Sequence, residues 1–120
     1  MNKLTLVLPI RTVSEANQRE HWAVKFRRKK AQQQIVRLNF HQWRREQLTY
    51  LLIPPFTIRL TRIGARKLDT DNLAGSFKHV QDAIAKELKM DDGDERLTWL
   101  YEQEPGKRIY QVRIEITKES

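Results

Sequence analysis

All six aspartates of the chain lie within residues 67–94, in groups that flank an apolar-periodic run. One pair precedes the run and a cluster follows it, with a single aspartate between them: Asp69 and Asp71, then Asp82, then Asp91, Asp92 and Asp94. Carboxylate oxygens are the ligands that Mg2+ and Mn2+ prefer in proteins. The spacing therefore indicates a carboxylate pair, a helix and a second carboxylate cluster, which together could bind a divalent cation.

The pair Asp69 and Asp71 has a spacing that suits one metal ion. If the segment up to Asp71 is extended, the two side chains point to the same side, with Cα atoms about 6.5–7 Å apart. The dipole of the helix that follows stabilises negative charge at its N-terminus. The alternative is structural: Asp71 would be a helix N-cap, Asp69 a surface loop residue, and residues 90–94 a turn.

The run between the two groups predicts an amphipathic helix. Its apolar residues recur at spacings of three and four: Leu73, Phe77, Val80, Ile84 and Leu88. An unbroken helix over 72–88 would be about 25 Å long. The four residues to Asp92 span only about 14 Å at full stretch. Asp92 could then not return to Asp69 and Asp71 unless Gly75 and Ser76 break the helix.

Charge is distributed unevenly along the chain. Residues 1–68 contain 15 Lys and Arg against three Glu, a formal charge of +12, whereas residues 69–120 have a formal charge of −4. A basic surface beside carboxylates suits nucleic-acid phosphates. The densest basic run, residues 25–30, is predicted to contact phosphates, although it could be a solvated helix face. Together with the loop before Asp69, it supplies six candidate phosphate-binding residues: Arg27, Arg28, Lys29, Lys30, Arg66 and Lys67.

The periodicities predict an α+β fold, a single domain over 1–120 with helices packed on one mixed sheet. The predicted order is β-α-β-α-β-β: strand 3–9, helix 19–47, strand 56–63, the aspartate-flanked helix, and strands 97–103 and 108–117 joined as a hairpin by 104–107. Trp22 and Trp43 lie at helical spacing, so we expect core or interface roles for them rather than base stacking.

Several classes of protein are disfavoured by composition. No cysteine is present, so a disulfide framework or thiolate zinc site is excluded. His21, His41 and His79 match no zinc spacing, and we expect His79 to be a surface residue rather than a general base. No apolar run approaches a membrane span, and no signal-peptide pattern is seen, so we expect a cytoplasmic protein without a membrane partner.

The acidic region resembles the RusA family of Holliday junction resolvases. The resemblance rests on Asp69-Thr-Asp71-Asn72-Leu73, on Asp82-Ala-Ile and on Asp91-Asp92, with a looser match at a strand ending in Pro9 and at Asn17. It implies a Mg2+-dependent endodeoxyribonuclease, with Mn2+ a possible substitute, and a phage or prophage member of that family. The essential aspartates would be Asp69, Asp71 and Asp92. Gly75 stands where the family has a lysine, and Lys78 is the nearest replacement.

The resemblance implies resolution of four-way junctions and other branched DNA during recombination and repair. Two symmetric nicks require a homodimer, and we expect the partner subunit to supply Asp92 to the pair Asp69 and Asp71. Two alternatives remain. One is a basic nucleic-acid-binding module without catalysis, and the other is a metal-dependent phosphodiesterase with no preference for junctions.

Overall fold

The computed structural model describes residues 3–15, 19, 21–46 and 54–118, without the side chains of 44–46. Asn17 and Gln47 lie outside this part of the chain. The described elements are β1 (Lys3–Leu8), α1 (Trp22–Glu46), β2 (Phe56–Gly64), α2 (Thr70–Ser76), α3 (Lys78–Glu87), β3 (Leu97–Pro105) and β4 (Gln111–Lys118). The predicted α+β class and the order of strands and helices are confirmed, with the aspartate-flanked helix divided in two.

The four described strands form one mixed sheet in the order β1-β4-β2-β3. Strand β4 pairs antiparallel with both β1 and β2, whereas β3 pairs parallel with β2. The parallel pair needs a crossover connection, and α2 and α3 provide it. Strand β3 is therefore an edge strand that follows directly after the helices carrying the acidic residues.

The predicted hairpin between the last two strands is wrong, because β2 lies between β3 and β4. The connecting turn crosses the end of β2 instead. The Lys107 N–H donates to the Gly64 carbonyl oxygen at 3.2 Å, and the Tyr110 ring covers Gly64 so closely that a Cβ there would lie 2.5 Å from ring carbons. A glycine at the end of β2 therefore lets the chain pass over it.

The helices cover one face of the sheet and enclose the hydrophobic core. Phe56, Ile58 and Leu60 of β2 alternate into this core, as predicted. Trp43 is a core residue, at 8% exposure, whereas Trp22 is 71% exposed and lies outside the core. The opposite face of the sheet carries ion pairs, with Lys3 Nζ 2.7 Å from Glu115 Oε2.

The stretch over 72–88 is not one unbroken helix: α2 ends at Ser76 and α3 begins at Lys78, as in the alternative in which Gly75 and Ser76 break the helix. Phe77 adopts φ −93° and ψ 1° between α2 and α3. Its buried ring stacks on Tyr101 of β3, with centroids 5.9 Å apart. The Ser76 hydroxyl donates to the Leu73 carbonyl at 2.7 Å. Packing of Phe77 against the sheet thus coincides with the break. No helix of the described ranges is long and apolar enough to span a membrane.

Candidate nucleic-acid groove and carboxylate site

Edge strand β3 anchors the segments on which the aspartates lie. Its residues Trp99, Tyr101 and Gln103 alternate along the strand, so their side chains share one face. That face is the one against the helices, since Trp99 and Tyr101 pack on the hydrophobic core. Each of these three side chains hydrogen-bonds to a different one of the segments on which the aspartates lie.

The three side chains make four short hydrogen bonds. Trp99 Nε1 donates to the Asp92 carbonyl oxygen at 2.8 Å. Tyr101 Oη donates to Gln81 Oε1 at 2.6 Å, next to Asp82 on α3. At the far end, Gln103 Oε1 accepts from the Leu68 N–H at 2.9 Å and Gln103 Nε2 donates to the Leu68 carbonyl at 2.8 Å. The strand therefore sets the positions of the Asp92, Asp82 and Asp69 segments.

These anchors also set how far apart the backbone segments that carry Asp69 and Asp92 attach to β3. Trp99 and Gln103 are four residues apart, about 13 Å along a strand. The Asp92 and Asp69 segments attach near those two points. Among the described residues, no group of three His, Cys, Asp or Glu side chains could hold a metal ion. The backbone segments that carry Asp69 and Asp92 are held at separate points along β3.

The pair Asp69 and Asp71 adopts a geometry different from the extended one. Asp69 is the N-cap residue, with φ −61° and ψ 150°, and α2 begins at Thr70, so Asp71 already lies in the first helical turn. The alternative that Asp71 is the N-cap is therefore wrong. The Asp69 side chain makes no capping hydrogen bond, while its carbonyl oxygen accepts from the Asn72 and Leu73 N–H groups. Both carboxylates are exposed.

The fold brings Asp82 and Asp92 together. Burial raises the pKa of the half-buried Asp82 carboxyl, and the charge and hydrogen bonding of Asp92 raise it further. Lys78, one turn before Asp82 on α3, acts in the opposite direction on this pKa. Asp82 and Asp92 line a cavity of about 290 Å³ together with Lys86 and Asp91. The motif containing Asp82 was visible in the sequence, but this role for it was not.

A larger groove lies between α1 and α3 and has a volume of about 670 Å³. Its lining is predominantly basic and amide-bearing: Lys29, Lys30, Gln33, Gln34, Arg37, Asp82, Ala83, Lys86 and Glu87. Asp82 and Lys86 also line the smaller cavity. The basic groove and the smaller cavity therefore adjoin at Asp82 and Lys86.

The predicted phosphate contacts divide into two sets. Lys29 and Lys30 line the groove, and Arg27 is exposed beside them. Arg28 is instead committed to the fold, because its Nε and Nη2 donate to the two Glu15 carboxylate oxygens at 2.9 and 2.8 Å. Burial acts to raise the pKa of Glu15, but Arg28 outweighs it and the pKa is lowered. Arg28 is therefore an internal ion-pair residue rather than a free phosphate contact.

His79 belongs to the same internal cluster, and the expectation of a surface residue is wrong. Its side chain is 14% exposed, with Nε2 3.7 Å from Glu15 Oε2. The pKa of His79 is lowered, because burial outweighs the opposing effect of the neighbouring Glu15 carboxylate. His79 lies in the first turn of α3, which packs against α1: the Gln33 side-chain amide of α1 donates to the His79 carbonyl at 3.3 Å.

Arg66 and Lys67 are exposed in the loop between β2 and α2. The buried Arg62 guanidinium holds this loop, donating to the Arg66 carbonyl at 2.5 Å and to the Thr12 carbonyl at 3.3 Å. With Gln103 on Leu68, these bonds fix the backbone on both sides of Lys67. The loop thus presents two cations at a defined place just before Asp69.

No protein-family model and no curated sequence matches the chain. The groove, the carboxylates and their anchors on β3 are therefore the observations from which a function can be inferred.

Proposed function

We propose that the protein is a Mg2+-dependent endonuclease that cuts branched DNA, with four-way junctions as its substrate in recombination and repair. The observation that carries this proposal is the basic groove between α1 and α3, which shares Asp82 and Lys86 with the smaller cavity that Asp92 lines. A nuclease needs cations that hold the phosphate backbone beside carboxylates that serve the reaction. The sequence resemblance to the RusA family points to the same activity.

The groove suits a phosphate backbone. Lys29, Lys30, Arg37 and Lys86 supply four cations against two carboxylates, Asp82 and Glu87, among the residues that line it. Phosphate contacts of this kind position DNA without selecting a base sequence. The groove therefore favours recognition through the backbone and shape of DNA, as expected for an enzyme that acts on branches.

The donor chemistry of the acidic residues fits a hard cation. Asp92 lies close enough to Asp82 to disfavour ionisation of the Asp82 carboxyl, and a divalent cation between them would remove that penalty. Asp69 and Asp71 present further exposed carboxylates. When bound, Mg2+ would lower the pKa of a water molecule and neutralise charge on the phosphate.

A homodimer would complete this arrangement. Within one chain the Asp69 and Asp92 segments attach to β3 near points about 13 Å apart. In a dimer with a twofold axis, Asp69 and Asp71 of one subunit could meet Asp82 and Asp92 of the other, and two such sites would make paired nicks. Lys78, near Asp82, would then lie beside the scissile phosphate.

The proposal is tested with purified protein on four-way, flap and linear DNA, with Mg2+, with Mn2+ and with EDTA. We expect cleavage of the four-way junction that requires the metal ion. Binding without cleavage under every metal condition would support the non-catalytic binding module instead. Equal cleavage of all three substrates would support a phosphodiesterase without junction preference. Glu95→Gln, an exposed change in the Asp91–Arg96 turn, is the control for substitutions of the aspartates.

A further inference from the structure

Two large aromatic side chains are exposed at the start of α1. Trp22 is 71% and Phe26 is 48% exposed. They are four residues apart, so they lie next to each other on one face of the helix. Neither is needed to fill the core described above. Adjacent exposed aromatic rings on a strongly basic protein indicate a contact surface rather than a packing surface.

This aromatic pair is continuous with the basic groove. Lys30 Nζ lies 5.1 Å from the centroid of the Phe26 ring, and Lys30 also lines the groove. Residues at spacings of three and four connect the two: Trp22, Phe26, Lys30, Gln33 and Arg37, which we call the α1 track. It is about 22 Å long at 1.5 Å per residue. One ligand could therefore contact the aromatic pair and the groove together.

Charge determines which partner suits the α1 track. Helix α1 has no acidic residue before Glu46 and none in its first turn. Lys25, Arg27 and Lys29 surround the two rings in sequence. A second copy docked on the same face would bring like charges together. A nucleic acid would instead offer phosphates to the cations and flat bases to the rings.

We propose that Trp22 is a stacking platform for an unpaired base, while Lys30 and Arg37 hold phosphates of the same strand. The proposal deepens the proposed function and rests on it for the class of substrate. Bases are accessible to an aromatic ring where strands separate, but not inside a continuous duplex. Stacking on Trp22 would therefore add preference for branch points to a groove that holds any phosphate backbone.

The test is equilibrium binding in EDTA, where no metal-dependent cleavage can occur. The probes are a forked DNA with unpaired bases at the branch and a blunt duplex of the same length. We expect Trp22→Leu to weaken binding of the fork on the order of ten-fold, because stacking of a base on an aromatic ring is lost. Binding of the duplex should change by less than about two-fold, since the phosphate contacts remain.

Two matched variants separate stacking from general damage. Trp22→Phe keeps an aromatic face and should restore most of the affinity for the fork. Leu38→Ala removes another exposed apolar side chain of α1, one outside the α1 track, and should leave both affinities unchanged. Quenching of tryptophan fluorescence by the fork should also weaken in Trp22→Phe, because Trp43 is buried and only the partly buried Trp99 would remain near the DNA.

Three outcomes would overturn the proposal. They are equal losses for fork and duplex in Trp22→Leu, no loss for either, or a changed oligomeric state in sedimentation with unchanged binding. The last would make the aromatic pair a protein interface. Because the measurement needs no cleavage, it remains interpretable if the protein proves not to be a nuclease. Cleavage without any effect of Trp22→Leu would refute the stacking proposal alone.

Discussion

Gln103 on edge strand β3 holds the backbone of Leu68 through two hydrogen bonds, one to the N–H and one to the carbonyl. Leu68 immediately precedes Asp69, and Asp69 begins α2 as its N-cap. A single side chain of the sheet therefore fixes where the first carboxylate pair stands. The same strand holds Asp92 through Trp99, so one element determines the geometry of both acidic segments.

Replacing Gln103 tests this anchoring. Gln103→Leu removes both bonds to Leu68 and should lower the free energy of unfolding by about 1–2 kcal/mol. We expect junction cleavage to fall more than ten-fold while junction binding is retained, because the basic groove is not altered. Urea unfolding, binding and cleavage assays measure the three effects. Glu102→Gln, which alters an exposed ion pair with Arg59 on the other face, is the control and should have little effect. Wild-type cleavage by Gln103→Leu would show that Asp69 needs no such anchor.

Asp71→Asn should abolish cleavage and leave junction binding near that of the wild type. Asp71 is exposed in the first turn of α2, so its loss removes a proposed metal carboxylate without disturbing packing. Gel assays of cleavage and of binding measure the two effects. Cleavage within a few-fold of wild type would make Asp71 merely a helix-terminus residue.

Mixing two inactive variants tests whether the site is shared between subunits. Dimers containing one Asp71→Asn chain and one Asp92→Asn chain retain one intact set of carboxylates if each site draws on both subunits. Nicking activity should then reappear in the mixture, because one of the two sites in each mixed dimer keeps both Asp71 and Asp92. If equilibrated mixed dimers form and stay inactive, the carboxylates act within one chain.

The salt dependence of binding locates the phosphate contacts. The double substitution Lys29→Gln and Lys30→Gln should lower the slope of log K against log salt concentration by up to about 2, since each phosphate contact contributes roughly 0.9. Lys3→Gln removes a cation from the opposite sheet face and should leave the slope unchanged. Arg28→Gln should mainly reduce stability, because Arg28 is bound to Glu15. An unaltered slope in the double variant would place the DNA on another surface.

Asp82 should make stability fall as pH rises. Its pKa is raised by burial and by Asp92, so the folded state holds a proton that the unfolded state releases. The stabilisation from the protonated Asp82 is complete below the ordinary pKa of 3.8 and is lost as pH rises through the higher pKa of the folded state. Asp82→Asn should therefore match wild type at low pH and be more stable at pH 7, as measured by thermal unfolding across that range.

Asp94 provides a contrast of opposite sign for the same experiment. Hydrogen bonds from Arg96 lower the pKa of Asp94 to about 2. Its contribution is present above the ordinary value of 3.8 and is lost as pH falls through about 2. Asp94→Asn should thus be less stable than wild type at pH 7 and approach it in acid. If both variants changed stability in the same direction with pH, the environment assigned to Asp82 would be wrong.

Local periodicity was sufficient to predict much of the fold. Strand β2 was expected over 56–63 and spans Phe56–Gly64, and α1 begins three residues later than expected. These elements depend on the alternation or helical spacing of near neighbours, which the sequence displays directly. Likewise, the uneven charge and the clustering of aspartates needed no structure, since residue types alone define them. Asp69 and Asp71 were correctly placed at the start of a helix for the same reason.

The arrangement of the site depended on contacts between residues distant in sequence. Pairing of β4 with β2 rather than β3 brings Leu60 opposite Ile114, and no local pattern distinguishes this pairing from a hairpin. The same long-range packing buries Phe77 where the helix breaks and commits Arg28 to Glu15. By itself the sequence determined the elements and the chemistry available to them. Tertiary structure alone decided that Asp82 meets Asp92 beside a basic groove, because burial and the crossover of α2 and α3 set those distances.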